Sequence, residues 1–289
     1  YPFMQVDAFT TRPLSGNPCA IVFDADALDP ATMQAIAREM NLSETAFVLR
    51  SQIADVRARY FTVESEIPLA GHPTIATIFA LIESGRLALQ GDRMTISLEL
   101  RDGPIQVEVI ASKQQVQHVV MTQRKPQFLA TYAAAEVLPL WELDESDLLP
   151  NVPIQTVSTG TPQLMIPLRS LDALRKVNIN AAAYRQFREQ ADFFSPHLFC
   201  CQGVTPVGQT FARHVDTFED PFTGSATGGM AAYLWHYNLI EQPIFIAEQG
   251  HWMQRPGQAR VEVIGPRDNI ETVKVGGSAV TVLRGELVL

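Results

Sequence analysis

The chain repeats its most chemically loaded segment. Glu66-Ile67-Pro68-Leu69-Ala70-Gly71-His72-Pro73-Thr74 returns as Glu219-Asp220-Pro221-Phe222-Thr223-Gly224-Ser225-Ala226-Thr227. Glu, Pro, Gly and Thr thus recur together at one spacing, 153 residues from Glu66 to Glu219. Each copy runs on into an apolar stretch of helical character, Ile75 to Ile82 and Met230 to Tyr237. Two further echoes keep the order. Gly103 followed by Val107-Glu108-Val109-Ile110 returns as Gly257 followed by Val261-Glu262-Val263-Ile264, and Gly16-Asn17-Pro18 returns as Gly160-Thr161-Pro162. Ordered echoes at nearly constant spacing mean two copies of one fold. Each copy leads a glycine turn into a helix.

A chain of 289 residues has room for two domains of the usual size. Hydrophobic content of 46% and charged content of 18% fit a globular protein rather than a disordered one. No apolar run reaches the roughly 18 residues of a membrane span, and no signal-peptide pattern opens the chain. A net charge of −9 argues against nucleic acid and anionic membranes as partners, because both need basic patches. An anionic substrate must then be drawn by local features. Cys19, Cys200 and Cys201 are an odd set with two adjacent, which fits reduced thiols in cytoplasm better than a disulfide framework. The chain opens on Tyr1 rather than Met, which leaves its native start open.

Alternation and β-branched residues predict strands near 4–9, 20–23, 56–61, 94–100, 105–110 and 116–121. Pro30–Met40 reads as a helix, with Asp29 as N-cap and proline at the first helical position. From 123 to 149 the pattern breaks into a Pro-, Ala- and acid-rich segment, read as the crossover between a first domain (1–122) and a second (150–277). In the second copy a helix is expected at 181–190. Strands are expected near 198–201, 210–214, 244–247, 259–264 and 273–275. The tail at 278–289 is strand-like and exceeds what the second copy needs, so it is expected to complete the first domain. Many strands with about two helices per half indicate an α+β fold.

The paired glycine turns carry the chemistry. A helix start presents unpaired N–H groups and the positive end of the dipole, suited to a carboxylate or phosphate. Gly71 and Gly224 let a ligand approach the backbone. A single such turn is usually an ordinary cap, whereas two in register point to a shared site built from Gly71–Thr74 and Gly224, Ser225, Ala226 and Thr227. There is no Lys for a P-loop. His72 and Ser225 hold matched positions. Asp220 sits five residues before Ser225, and Glu44 follows Ser43 at a loop mouth, where catalytic groups concentrate. The six His show no metal-binding spacing. Cys200 and Cys201 read as buried strand residues.

Taken in order, Asp7-Ala8-Phe9 with Gly16-Asn17-Pro18, Asn41-Leu42-Ser43-Glu44-Thr45, Arg59-Tyr60-Phe61-Thr62, Gly71-His72 with Thr74, Glu219-Asp220-Pro221 with Thr223-Gly224-Ser225-Ala226, and Gly276-Gly277 with Ala279 resemble the phenazine-biosynthesis (PhzF-like) isomerase family. The resemblance spans nearly the whole chain. It implies a diaminopimelate-epimerase-like fold: two pseudo-symmetric domains, each a curved, mostly antiparallel sheet or barrel wrapped around a central helix, with the site in the cleft. It also implies a homodimer and a cofactor-independent isomerase. Glu44 would be the acid/base on a small carboxylate-bearing, dihydro-hydroxyanthranilate-like substrate, with His72, Asp220 and Ser225 as companions. Epimerase relatives place a thiol before each glycine turn. Here those positions are Ala70 and Thr223, so two-thiol racemisation is unavailable. A racemase using Glu44 and Asp220, and a non-catalytic small-molecule binder, stay open as alternatives. Two departures border the expected site. Pro73 stands where the family often has Ala, and the segment between Arg213 and Glu219 is short.

Overall fold

The computed structural model describes residues 1–289. The chain divides into two compact units, one of residues 1–122 with 276–289, the other of residues 123–275. No helix is long and apolar enough to cross a membrane.

The first unit opens with β1 (Pro2–Ala8) and β2 (Asn17–Val22), then α1 (Pro30–Met40). Asp29 caps that helix by accepting from Ala31 N and Thr32 N at 2.9 and 3.0 Å, with Pro30 at the first helical position. Asn41 ends it in the left-handed region at φ 50°. Next come β3 (Glu44–Leu49), β4 (Val56–Phe61), the two-residue β5 (Glu66–Ile67) and α2 (Gly71–Glu83). Then follow β6 (Arg93–Leu100), β7 (Gly103–Ser112) and β8 (Gln115–Thr122). Alternation of buried and exposed residues along β6 and β7 marks a sheet with one wet face. The last strand, β18 (Ala279–Glu286), pairs antiparallel with β1. It runs unbroken over its eight residues.

Pairings across this unit alternate in a set pattern. β1 and β2 are antiparallel, β2 and β3 parallel, β3 and β4 antiparallel, β4 and β6 parallel, and β6, β7 and β8 antiparallel in turn. α2 packs against β1, β2, β3, β8 and β18. It is buried from His72 to Leu81 except at Phe79, and a helix apolar nearly all round is one enclosed by its sheet.

The second unit repeats this plan. It comprises β9 (Gln127–Tyr132), α3 (Ala134–Val137), β10 (Ile154–Ser158), β11 (Pro162–Pro167), α4 (Leu171–Lys176) and α5 (Ala181–Arg188). β12 (Ser195–Cys200), β13 (Thr210–Val215), β14 (Glu219–Asp220), α6 (Gly224–His236), β15 (Ile244–Gln249) and β16 (Gly257–Ile264) follow, and β17 (Thr272–Gly277) ends this unit, its last two residues counting with the first. β10 and β11 are antiparallel, β11 and β12 parallel, β12 and β13 antiparallel, β13 and β15 parallel, and β15 and β16 antiparallel. That is the first unit's sequence of pairings, strand for strand. α6 packs against β10, β11, β12 and β16.

Residues 123–149 lie in this unit. β9 pairs with β10, as β18 pairs with β1. Val137, Leu138, Leu140, Trp141 and Leu143 enter its core beside Leu164, Ile166 and Leu198. The buried Trp141 donates to Val215 O at 3.0 Å. Gly228 in α6 permits a close approach that any side chain would block, because an added Cβ would fall 1.8 Å from Gln123 Oε1. Gln123 uses that space to donate to Gly224 O at 2.9 Å and to accept from Thr159 at 2.5 Å.

Candidate active site

In the first unit the structure brings Glu44 and His72 together. Glu44 is the first residue of β3, opposite Cys19 of β2, rather than a loop residue. The left-handed Asn41 turns the chain out of α1, and Leu42 and Ser43 lead directly into the strand. His72, the second residue of α2, is 4% exposed. Its Nε2 lies 3.2 Å from Glu44 Oε2, and the Glu44 side chain keeps 18% of its surface exposed. The carboxylate therefore has a buried imidazole on one side and an opening on the other.

Asn17 fixes the state of that imidazole. Its Nδ2 lies 3.1 Å from His72 Nδ1, and an amide NH2 can only donate. Nδ1 is then the bare acceptor and Nε2 carries the proton that faces Glu44. Asn17 is itself fully buried and is placed by the loop before it. Asp7, also buried, accepts from Leu14 N at 2.7 Å across that loop. Phe9, Leu14 and Gly16 all adopt positive φ, at 62°, 64° and 58°. Gly16 is required there, since a Cβ would meet Ala8 O at 2.1 Å. Such left-handed non-glycine residues cluster where a loop must hold one shape.

The second unit builds a different network at its matched turn. Asp220 ends β14, and its Oδ2 accepts from Thr223 Oγ1 at 2.5 Å. Gln249, 2% exposed, braces both ends of the turn. Its Oε1 accepts from Thr223 N at 3.1 Å, and its Nε2 donates to Asp220 O at 2.7 Å. Thr227 N already donates to Thr223 O at 2.9 Å, so the first-turn amides of α6 that the helix does not use reduce to Gly224, Ser225 and Ala226. In α2 the first turn contains Pro73, which has no N–H, so fewer amides face outward there.

Gly71 and Ser225 are half-buried, as is Ser43, whereas Gly224 and Ala226 are buried. The hydroxyls of Thr74 and Thr227 turn back into their own helix starts. Thr74 Oγ1 donates to Ala70 O at 2.8 Å and meets Tyr60 OH at 3.0 Å; Thr227 Oγ1 donates to Thr223 O at 2.9 Å. The two threonines thus hold equivalent structural bonds. Asn17 and Gln249 carry no role in the sequence reading. Asn17 had a signal in Gly16-Asn17-Pro18, but Gln249 had none. The expected burial of Cys201 is corrected: β12 ends at Cys200, so the next residue leaves the sheet and is exposed.

Relatives supply the class of protein. An uncharacterized isomerase of Clostridium acetobutylicum is 34% identical over 302 residues, covering 100% of this chain and 98% of the relative. The trans-2,3-dihydro-3-hydroxyanthranilate isomerase of Pseudomonas fluorescens is 34% identical, with 99% of each chain covered. This protein is an isomerase. The crystal structure of a Bacillus anthracis phenazine biosynthesis protein of the PhzF family superposes with a TM-score of 0.89 at 30% identity. It covers 100% of this chain and 99% of the other. The family model for phenazine biosynthesis-like proteins matches residues 6–285, and the chain belongs to that family.

Proposed function

We propose that this isomerase works without a cofactor, Glu44 taking a proton from one carbon of a small carboxylate-bearing, amino-acid-like substrate and returning it to another. The observation that carries the reading is the Glu44 carboxylate 3.2 Å from the protonated nitrogen of His72, whose other nitrogen is fixed by Asn17. An acceptor held this way has one orientation, and a positioned carboxylate is a usual agent of proton transfer. Taking and returning the same proton shifts a double bond and leaves oxidation state unchanged, so the balance needs no redox partner. The name of the Pseudomonas fluorescens relative supports a ring amino acid of the dihydro-hydroxyanthranilate type as substrate class. Asp220 and Ser225 are assigned as substrate-handling residues of the second unit, with the amides of Gly224, Ser225 and Ala226 as a local positive site in a chain of net charge −9.

The test is incubation of chelator-treated protein in D2O with trans-2,3-dihydro-3-hydroxyanthranilate and, separately, with a panel of amino acids. A moved double bond supports the reading. Deuterium at an α-carbon without double-bond movement identifies a racemase instead, and binding without label identifies a non-catalytic binder. Activity lost on chelation and restored by a metal ion would overturn cofactor independence.

A further inference from the structure

Beside the Asp220 turn lies a pair of imidazoles to which the reaction above assigns no role. His197 of β12 is fully buried and His214 of β13 is 7% exposed. Their Nδ1 atoms are 3.4 Å apart. Two Nδ1 atoms in contact need one proton between them: one nitrogen donates and the other accepts. The remaining nitrogen of His197, Nε2, is buried without a hydrogen-bond partner. A buried N–H left orphaned is rarer than an under-used acceptor, which makes Nε2 the bare nitrogen. His197 then donates through Nδ1, His214 accepts through Nδ1, and His214 carries its proton on Nε2.

The first unit shows that the fold does not need imidazoles here. Arg59 faces Phe47 across β3 and β4, as Arg213 faces Leu198 across β12 and β13. One step along each ladder, the first unit pairs Ala46 with Tyr60 where the second places His197 against His214. Tyr60 there serves the helix start through Thr74. A small side chain under a large ring packs well, whereas two buried imidazoles bring a desolvation cost. In the β13–β14 register His214 stands opposite Asp220. The charges acting on it are those of Asp220, Asp216 and Glu219, with His197 on the other side. Burial pushes His214 below the ordinary histidine range, and these carboxylates pull it back up.

We propose that His214, oriented by His197, is a positioning residue that presents Nε2–H to the acidic turn and fixes the Asp220 carboxylate for the reaction. The inference rests on the reading of Asp220 as a site residue. When His214 gains a second proton both its nitrogens become donors, and His197 must move its own proton to Nε2 to accept at Nδ1, so the pair and its hold on Asp220 are reset.

Nitrogen-15 NMR of the full chain labelled at histidine tests this without substrate. The expected result is a bare Nδ1 and a protonated Nε2 on His214, with a titration midpoint that drops by roughly 1 pH unit in Asp220→Asn. His214 protonated at Nδ1, or a midpoint unmoved in Asp220→Asn, overturns the inference. A second variant, His197→Ala with His214→Tyr, copies the first unit's pair and so keeps the packing. It is expected to lower kcat by about tenfold or more, with KM little changed and the acid side of the pH profile shifted; a wild-type rate and profile would refute the positioning role. Full turnover by Asp220→Asn would refute the role of Asp220 itself, a failure separable from that of the histidine coupling.

Discussion

Arg213 clasps Glu219 through two parallel bonds, Nε to Oε1 at 2.9 Å and Nη2 to Oε2 at 2.7 Å. Arg59 holds Glu66 in the same fork, both bonds at 2.8 Å. The glutamate that recurs at the head of each repeat is therefore the residue that ties the glycine turn to the adjoining strand. Planar bidentate pairing fixes direction as well as distance. In both units the same clasp stands immediately ahead of the glycine turn and the helix that starts there.

The first-unit clasp gives a pH dependence with a definite sign. Hydrogen bonding from Arg59 holds the Glu66 carboxyl below its ordinary value of 4.5, with the Arg59 charge adding to it. A group depressed in the folded state stabilises fully above its unfolded pKa, and that contribution is lost as pH falls through the folded value. Glu66→Gln is expected to lower the urea midpoint at pH 7, and the deficit against wild type is expected to shrink as pH falls below about 4. Paired denaturation curves from pH 7 to 3 check this. A deficit that grows in acid would contradict it.

Glu44→Gln keeps the size and hydrogen-bonding capacity of the side chain but removes its ability to take a proton. Turnover is expected to fall by about 10²–10⁴, with ligand affinity changed by little. Steady-state rates beside calorimetric binding separate the two quantities. Turnover near the wild-type rate would move the acid/base role elsewhere.

Asn17→Asp is nearly isosteric and reverses the instruction given to His72. A carboxylate accepts, so Nδ1 would become the protonated nitrogen and a bare Nε2 would face Glu44. A drop in kcat of up to about 10⁴-fold is expected, the loss seen when a catalytic imidazole is held in the wrong tautomer. The ring nitrogen shifts of His72 report the tautomer directly. A lowered rate with the wild-type tautomer would refute this explanation.

Gly228→Ala places a methyl against the Gln123 carboxamide. The strain of overpacking is expected to cost about 1–3 kcal/mol, read as a lower midpoint of denaturant unfolding. Gln123→Ala in the same chain should recover part of the loss, since it removes the atom that the methyl strikes.

How much was legible follows the range of the interactions. α1 was read with its exact limits because Asp29 and Pro30 signal its start locally. β4 was read at Val56–Phe61 for the same reason, from its own β-branched and aromatic residues. The core helices begin at Gly71 and Gly224, where the paired glycine turns signal them, and each turn is itself the first helical turn. β9 was missed because most of its residues are exposed, leaving no alternation to detect. Asn17 meets His72 from 55 residues away, and Gln249 braces Thr223 from 26 residues away. No periodicity encodes such contacts, whereas Glu44 and His72 stood in short motifs that did.

The pairing of β1 with β18, Pro2 opposite Glu286, has a consequence for biosynthesis. A ribosome delivers the first eight strands of the first unit well before it delivers residues 279–286. At about 5–20 residues per second the interval is on the order of 10–30 s. During that time β1 is an edge strand, with β2 on one side and an open row of backbone groups on the other. β9 carries no such delay, since it precedes its partner β10 by a short stretch of chain. The first copy, though made first, therefore closes its sheet only when the last strand of the chain is delivered.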